Sequence, residues 1–186
     1  MKQTPSEDRQ GISMPLWSDD VSPWQALNDE VMGGQSKSSI SRAGNQLCFR
    51  GSISLAGGGG FASVRRPFRL PAESAQLHLR VLGDGRRYQL RLKMDSEFDG
   101  VIYVAEWIPP AGRWSEARFT QAAFEPRFRG RALNGQLPLQ FKRVRQLGLL
   151  TGERQPGPFC LWLDSELSVH SSAFSGSDVL DRDPED

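Results

Sequence analysis

Cysteine and histidine are scarce in this chain, and long apolar runs are missing. Two histidines, His78 and His170, and two cysteines, Cys48 and Cys160, stand far apart, whereas a transition-metal site needs such ligands clustered. We therefore expect no bound metal and no other cofactor. Nucleophilic catalysis finds equally little support. No Gly-x-Ser-x-Gly elbow is present, and His78 sits in a strand alternation with Leu77 and Leu79 on the other face. His170 lies at the edge of a polar tail, an unsuitable place for one member of a triad. No apolar run approaches the roughly 20 residues that span a bilayer. The first residues, Met1 to Arg9, offer no apolar stretch for a secretory signal and carry acids that transit sequences avoid. A cytoplasmic location is expected, with reduced and packed cysteines.

Other catalytic patterns are equally thin. Gly57-Gly58-Gly59-Gly60 resembles a phosphate cradle only in glycine content. A P-loop ends in Lys-Ser/Thr and enters a helix, whereas Phe61-Ala62-Ser63 begins a strand. Glycoside hydrolysis needs two carboxylates facing one cleft, and nothing in the sequence sets the separation of Glu106 and Glu116. Asp29, Asp84, Asp95 and Asp99 are loop acids of the kind that ligate calcium, but no dense acidic loop gathers them, and turn chemistry is the preferred reading. The chain is expected not to be an enzyme.

What is present is a patterned, all-β body. The 186 residues fit one domain, and 38% hydrophobic and 24% charged residues are ordinary for a globular protein. Leu47, Phe49, Gly51, Ile53 and Leu55 alternate with polar residues, a half-buried strand bent at Gly51. Leu77, Leu79 and Val81, then Tyr88, Leu90, Leu92 and Met94, flank Gly83-Asp84-Gly85 and read as a hairpin with a basic outer face. Val101–Trp107, Trp114–Phe119, Gln146–Leu150 and Phe159–Leu163 read as further strands, and Gln121–Phe128 as containing a short helical turn. Strands at short spacing between Gly/Pro turns favour a sandwich or barrel. The boundaries read as a flexible segment 1–15, a sandwich domain 16–169 and an acidic flexible tail 170–186.

The net charge of +1 conceals a division: residues 31–163 carry 20 basic and 9 acidic side chains, between two acidic ends. Arg86, Arg87, Arg91 and Lys93 mark one segment; Arg127, Arg129 and Arg131 alternate around Phe128. Arginine's planar fork suits carboxylate or phosphate partners, while internal ion pairing is the plainer account. Trp24, Trp107 and Trp114 read first as core anchors and second as a sugar-stacking platform.

Several blocks fall in a familiar order. Asn28-Asp29 with Met32-Gly33-Gly34 and Ser36 comes first, then Phe49-Arg50-Gly51 and Gly59 to Arg65. Gly83-Asp84-Gly85-Arg86-Arg87-Tyr88 is third. Trp114, Phe124 and Phe128-Arg129-Gly130 follow, and Leu147-Gly148-Leu149 with Gly157-Pro158-Phe159 closes the series. This order, over about 17–164, resembles the complex I intermediate-associated protein 30 family. The sequence departs at Glu30, where the family usually has Gly, and at Phe119-Thr120-Gln121. The resemblance implies a jelly-roll β-sandwich like galactose-binding domains. Mitochondrial members are assembly factors for respiratory complex I, and this chain is similar to a stand-alone bacterial relative. The implied function is a non-enzymatic, protein-binding or assembly-factor-like module. A carbohydrate or small-ligand binding domain is the alternative, and nucleic acid is not expected as a partner. Candidate binding residues are Asn28, Asp29, Arg65, Arg86, Arg87, Tyr88 and Arg129. An enzyme would require Asp29, Arg86, Tyr88 and Arg129 to converge in one pocket.

Overall fold

The structure, a computed structural model, describes residues 11–17, 24–152 and 154–171. The first half contributes β1 (Ile12–Pro15), β2 (Gln25–Ala26), β3 (Lys37–Ala43), β4 (Gln46–Ile53), β5 (Ala62–Pro67), β6 (Ser74–Leu82) and β7 (Tyr88–Lys93). The second contributes β8 (Ile102–Trp107), β9 (Trp114–Thr120), β10 (Glu125–Phe128), β11 (Arg131–Ala132), β12 (Gln146–Thr151), β13 (Gly157–Asp164) and β14 (Glu166–Ser171). One sheet runs β1-β14-β6-β13-β4-β3, with β9 on the other edge of β6; the second runs β11-β10-β8-β7-β12-β5-β2. Neighbouring strands in both sheets are antiparallel. This is the expected all-β jelly-roll sandwich. No helix among the described residues is long and apolar enough to cross a membrane.

Period-two patterning builds the core. Leu47, Phe49, Leu77, Leu79, Val81, Leu161 and Leu163 line the inner face of the first sheet. Tyr88, Leu90, Leu92, Leu147 and Leu149 line that of the second. Aromatic contacts stitch the layers: Phe49 meets Tyr88 edge-on at 6.4 Å, and Trp107 meets Phe119 at 5.4 Å. Trp24 is buried and donates its indole N–H to the Leu16 carbonyl at 2.8 Å. Trp114, expected in the core, instead sits half-buried beneath the Arg80 guanidinium at 4.6 Å.

The expected hairpin across Gly83-Asp84-Gly85 is not formed. β6 belongs to the first sheet and β7 to the second, so the turn carries the chain over the end of the sandwich. The cause is long-range. Asp84 Oδ2 accepts from the Tyr88 hydroxyl at 3.0 Å and from the Cys160 amide at 2.9 Å. The Gly83 carbonyl accepts from the Gly112 amide at 3.0 Å. A two-residue hairpin does occur at Gly44-Asn45, between β3 and β4, with Gly44 at φ +59.

Strand pairing extends to either side of 16–169. β1 lies within the segment read as flexible, and it pairs with β14, which continues to Ser171. The rest of the two terminal segments, 1–10 and 172–186, lies outside the described residues. The short helical turn in Gln121–Phe128 is the 3-10 turn Gln121–Ala123, after which β10 includes Pro126.

The glycine-rich blocks converge on one acid. Asp29 begins a 3-10 turn, Asp29–Met32, and is fully buried, 0% exposed. Its carboxylate accepts from the Ser36 amide at 2.9 Å, the Ser36 hydroxyl at 2.5 Å, the Gly60 amide at 2.7 Å and the Phe61 amide at 3.3 Å. Beside it, Asn28 Oδ1 accepts from the Ser38 hydroxyl at 2.6 Å and the Ser63 amide at 3.1 Å. Glycine is needed around this knot. A Cβ on Gly34 would sit 2.3 Å from Asp29 Cγ, and one on Gly59 would sit 2.4 Å from Asp29 Oδ2.

Gly34→Ala should lower the unfolding free energy by about 2 kcal/mol or more in urea melts, because the packed carboxylate cannot retreat. Asp29→Asn should cost about 2–4 kcal/mol, each hydrogen bond to a charged acceptor being worth about 1.5–3 kcal/mol. Burial alone would raise the Asp29 carboxyl; the hydrogen bonds from Ser36, Gly60 and Phe61 outweigh it and hold the group below its ordinary 3.8. A depressed carboxyl stabilises the fold fully above its unfolded value and loses that contribution as pH falls through the folded value. The stability gap between wild type and Asp29→Asn should therefore close below about pH 4 in pH-dependent urea melts.

Candidate ligand-binding cleft

The second sheet presents its outer face as a floor. Register places Glu125, Val104, Arg91, Gly148 and Arg65 in one row across five strands, so their side-chain directions agree. Gly148 contributes no side chain to the row, and a Cβ there would lie 3.7 Å from the Cβ atoms of Arg65 and Arg91.

Three segments wall this floor. The Asp29–Met32 turn and Phe61 stand on one side, held by the Asp29 knot. The 94–101 loop stands on another. Lys93, only 2% exposed, fastens it by donating to the carbonyls of Glu97 at 2.5 Å and Asp99 at 2.6 Å and to Asp95 Oδ1 at 3.1 Å. Gln146 donates to the carbonyls of Asp95 and Glu97, both at 2.9 Å. Arg65 donates to the Phe98 carbonyl at 3.0 Å and lies 5.1 Å over the Phe98 ring. The turn between β10 and β11 closes the third side, with Arg129 at φ +48 and Gly130 at φ +80. Arg129 reaches across to Asp99 Oδ2 at 2.8 Å, and that bond holds the Asp99 carboxyl below its ordinary value.

The space enclosed is about 750 Å³, within the usual range for a ligand site. Met32, Phe61, Phe98, Ile102, Val104 and Leu150 give it apolar walls, and Arg91, Arg127, Arg129 and Asp99 supply charge. Met32 and Phe98 are 67% and 68% exposed at its mouth.

Beneath the walls runs a polar chain. Glu106 Oε1 accepts from Arg127 at 2.8 Å and from the Gln89 amide at 2.9 Å, and Glu106 Oε2 lies 3.6 Å from Arg87. Burial would raise the Glu106 carboxyl, but the Arg127 and Gln89 hydrogen bonds and the Arg127 charge bring it below its usual value. Gln89 Oε1 accepts twice from Arg91, from Nε at 2.9 Å and Nη2 at 2.7 Å. Burial, then the charge of Arg127, pushes Arg91 down to about 10, so the guanidinium stays charged at neutral pH.

The seven residues expected to bind a partner thus divide. Asn28 and Asp29 are consumed in the loop knot. Tyr88 is buried against Asp84, and Arg86 donates to the carbonyls of Gln155 and Pro156 at 2.6 and 3.0 Å, tying the chain ahead of β13. Arg87 meets Glu106. Arg65 and Arg129 build the cleft walls. Asp29, Arg86, Tyr88 and Arg129 do not share a pocket; of the four, only Arg129 lines the cleft. Met32, Phe61, Arg91, Phe98 and Arg127 line the cleft although they were not among the residues expected to bind a partner. Arg91 and Arg127 carried a legible signal, each a cation in an alternating segment.

The remaining chemistry-bearing residues lie elsewhere. His78 and His170 stack at 4.0 Å on the first sheet, with His78 Nδ1 3.1 Å from Glu116. Burial and His170 lower His78 despite Glu116. The thiols of Cys48 and Cys160 are free and 3.4 Å apart; burial, then the Cys160 contact, pushes Cys48 up to about 12. Asp29, Asp84, Asp95 and Asp99 each accept hydrogen bonds from protein donors, and no group of three or more His, Cys, Asp or Glu gathers among the described residues.

A family 11 carbohydrate-binding module from Clostridium thermocellum, solved with a β-1,3-1,4-mixed-linked tetrasaccharide, superposes with a TM-score of 0.59 at 14% identity. The match covers 82% of this chain and 92% of the module. The family 11 module of a cellulosomal cellulase of the same organism gives 0.60 at 15% identity, over 87% and 96%. An agarase gives 0.54 at 12% identity over 88% of this chain, which spans a quarter (25%) of that enzyme. At these identities the likeness is one of fold. No curated protein matches the chain. The family model of complex I intermediate-associated protein 30 matches residues 16–163, and the chain belongs to that family.

Proposed function

We propose that this chain is a non-enzymatic binding module, assembly-factor-like in its task, whose cleft receives a segment of another protein. The observation that carries the reading is the lining. Apolar walls with Phe and Met at the mouth, joined to arginine, have the composition of an interaction hot spot. Exposed apolar side chains gathered at one opening mark a contact surface. The family's description, which names association with an intermediate of complex I, is in keeping with a protein partner.

A carbohydrate ligand is the second reading, favoured by the tetrasaccharide bound to one structural neighbour. The lining speaks for the first. Saccharides are gripped by hydrogen-bonding groups and flat aromatic platforms; this cleft joins four charged side chains, three of them arginine, to aliphatic residues and two phenylalanines, with no Trp or Tyr among its described lining residues.

A photo-crosslinking residue placed at Met32 or Phe98 should capture peptides of one partner protein in native cells. The same residue at exposed Ser39, on β3 of the other sheet, should not. Met32→Ala and Phe98→Ala should weaken binding of the captured partner about tenfold or more. As exposed positions they should leave stability within about 0.5 kcal/mol. Equal capture from all three positions, or cleft amides that shift with oligosaccharides and no protein, would overturn the reading.

A further inference from the structure

We infer that Arg91 is a carboxylate anchor, so that the segment entering the cleft carries an acidic group, a side chain or chain terminus, flanked by apolar residues. The inference rests on the cleft-binding reading above and adds the ligand's chemistry to it.

Three arginines line the cavity, and two are neutralised from within. Arg127 is paired with Glu106 at 2.8 Å and Glu125 at 3.4 Å, and Arg129 with Asp99 at 2.8 Å. Arg91 forms no ion pair among the described residues. Its hydrogen bonds go to one neutral acceptor, Gln89 Oε1, which takes the Nε proton and one Nη2 proton. Glu106, the acid acting on it through space, is already held by Arg127 and Gln89. A guanidinium has five donors in a rigid fork, so the Nη1–Nη2 edge remains for an incoming group. Two parallel N–H donors on one edge fit a carboxylate bidentately.

Placement makes the free edge matter. Arg91 stands at the cleft floor between Val104 and Gly148, and the missing side chain at Gly148 leaves room beside it. A cation surrounded by apolar walls is costly until an anion joins it, and that attraction is stronger there than in water. Of the three arginines that line the cavity, Arg91 alone lacks a carboxylate partner, and one carboxylate supplies it; Arg65, beyond Gly148, is taken up by the Phe98 carbonyl and ring. A phosphate, with nearly two charges, would ask for the arginines that Glu106 and Asp99 already hold. Gln89, fixed from behind by Glu106, sets the orientation of the fork before any ligand arrives.

The test uses the intact chain and small probes. N-acetyl-leucylphenylalanine, its C-terminal amide and inorganic phosphate are titrated separately, following the amides of Val104 and Gly148 and the Arg91 Nε–H by NMR. The acid should bind at least about tenfold more tightly than the amide, as one bidentate charged contact implies. Arg91→Gln should erase that difference, Arg91→Lys should retain part of it, and Phe98→Ala should weaken acid and amide alike. Equal binding of acid and amide to the wild type overturns the anchor and leaves the cleft reading standing, and it needs no variant to fold. Phosphate binding as tightly as the acid overturns the carboxylate assignment. Failure of both peptide probes to shift the cleft resonances overturns the inference together with the cleft reading.

Discussion

A single buried carboxylate holds the cleft side of this sandwich together. Asp29 has no counter-cation in contact among the described residues, and four donors from Ser36, Gly60 and Phe61 take its place. Backbone amides aimed at a buried anion are rigid, because moving any of them leaves charge unsolvated in a poor dielectric. The loop before β3 and the loop before β5 are thereby locked to each other. Both loops then project a side chain, Met32 from one and Phe61 from the other, into the same cleft wall. The glycines serve this arrangement: Gly34 and Gly59 let the carboxylate be wrapped closely, and Gly57, at φ +67, packs where a Cβ would strike the Gly33 carbonyl at 2.1 Å.

The opposite wall follows the same logic with the charges reversed. Lys93 is a buried cation whose partners are two carbonyls and an acid of the 94–101 loop, so the loop is drawn over the ammonium as the other loops are drawn over Asp29. Two buried charges, each solvated by loop backbone, hold the cleft open in a fixed shape. Preorganisation of this kind reduces the entropy lost on binding. Asp29, Glu106 and Asp99 are held in the ionised state by the donors around them, and Tyr88 is turned inward on Asp84.

Much of the fold was legible because burial on a strand has period two. Leu77, Leu79 and Val81, and Leu90 and Leu92, lie inside as their alternation implies. Partnership was less legible. Gly83-Asp84-Gly85 satisfies every local rule for a hairpin, yet its acid is bound by the Cys160 amide, 76 positions away. β3 went unread because Lys-Ser-Ser-Ile-Ser-Arg-Ala is an edge strand with little apolar face. The site shows the same division. Asn28 and Asp29 stand out in the sequence because the fold needs them, which is a different matter from touching a ligand. Arg87, Arg91 and Arg127 look alike as letters; only long-range pairing with Glu106 separates those that are compensated from the one that is not.

That distinction bears on how a shared fold diverges in function. A sandwich of this kind leaves one sheet face free between its loops, and the face is a groove whatever the sequence lining it. A groove of amides, carboxylates and aromatic planes presents hydrogen bonds and stacking to hydroxylated rings. Here the groove is lined by Ile102, Val104 and Leu150, and the nearby polar residues Gln89 and Glu106 bond to one another and to arginine. Apolar surface and the Arg91 fork line the cleft beside these pairs. The backbone thus sets where the cleft lies, and the pairing of a few buried ions sets which charges it presents.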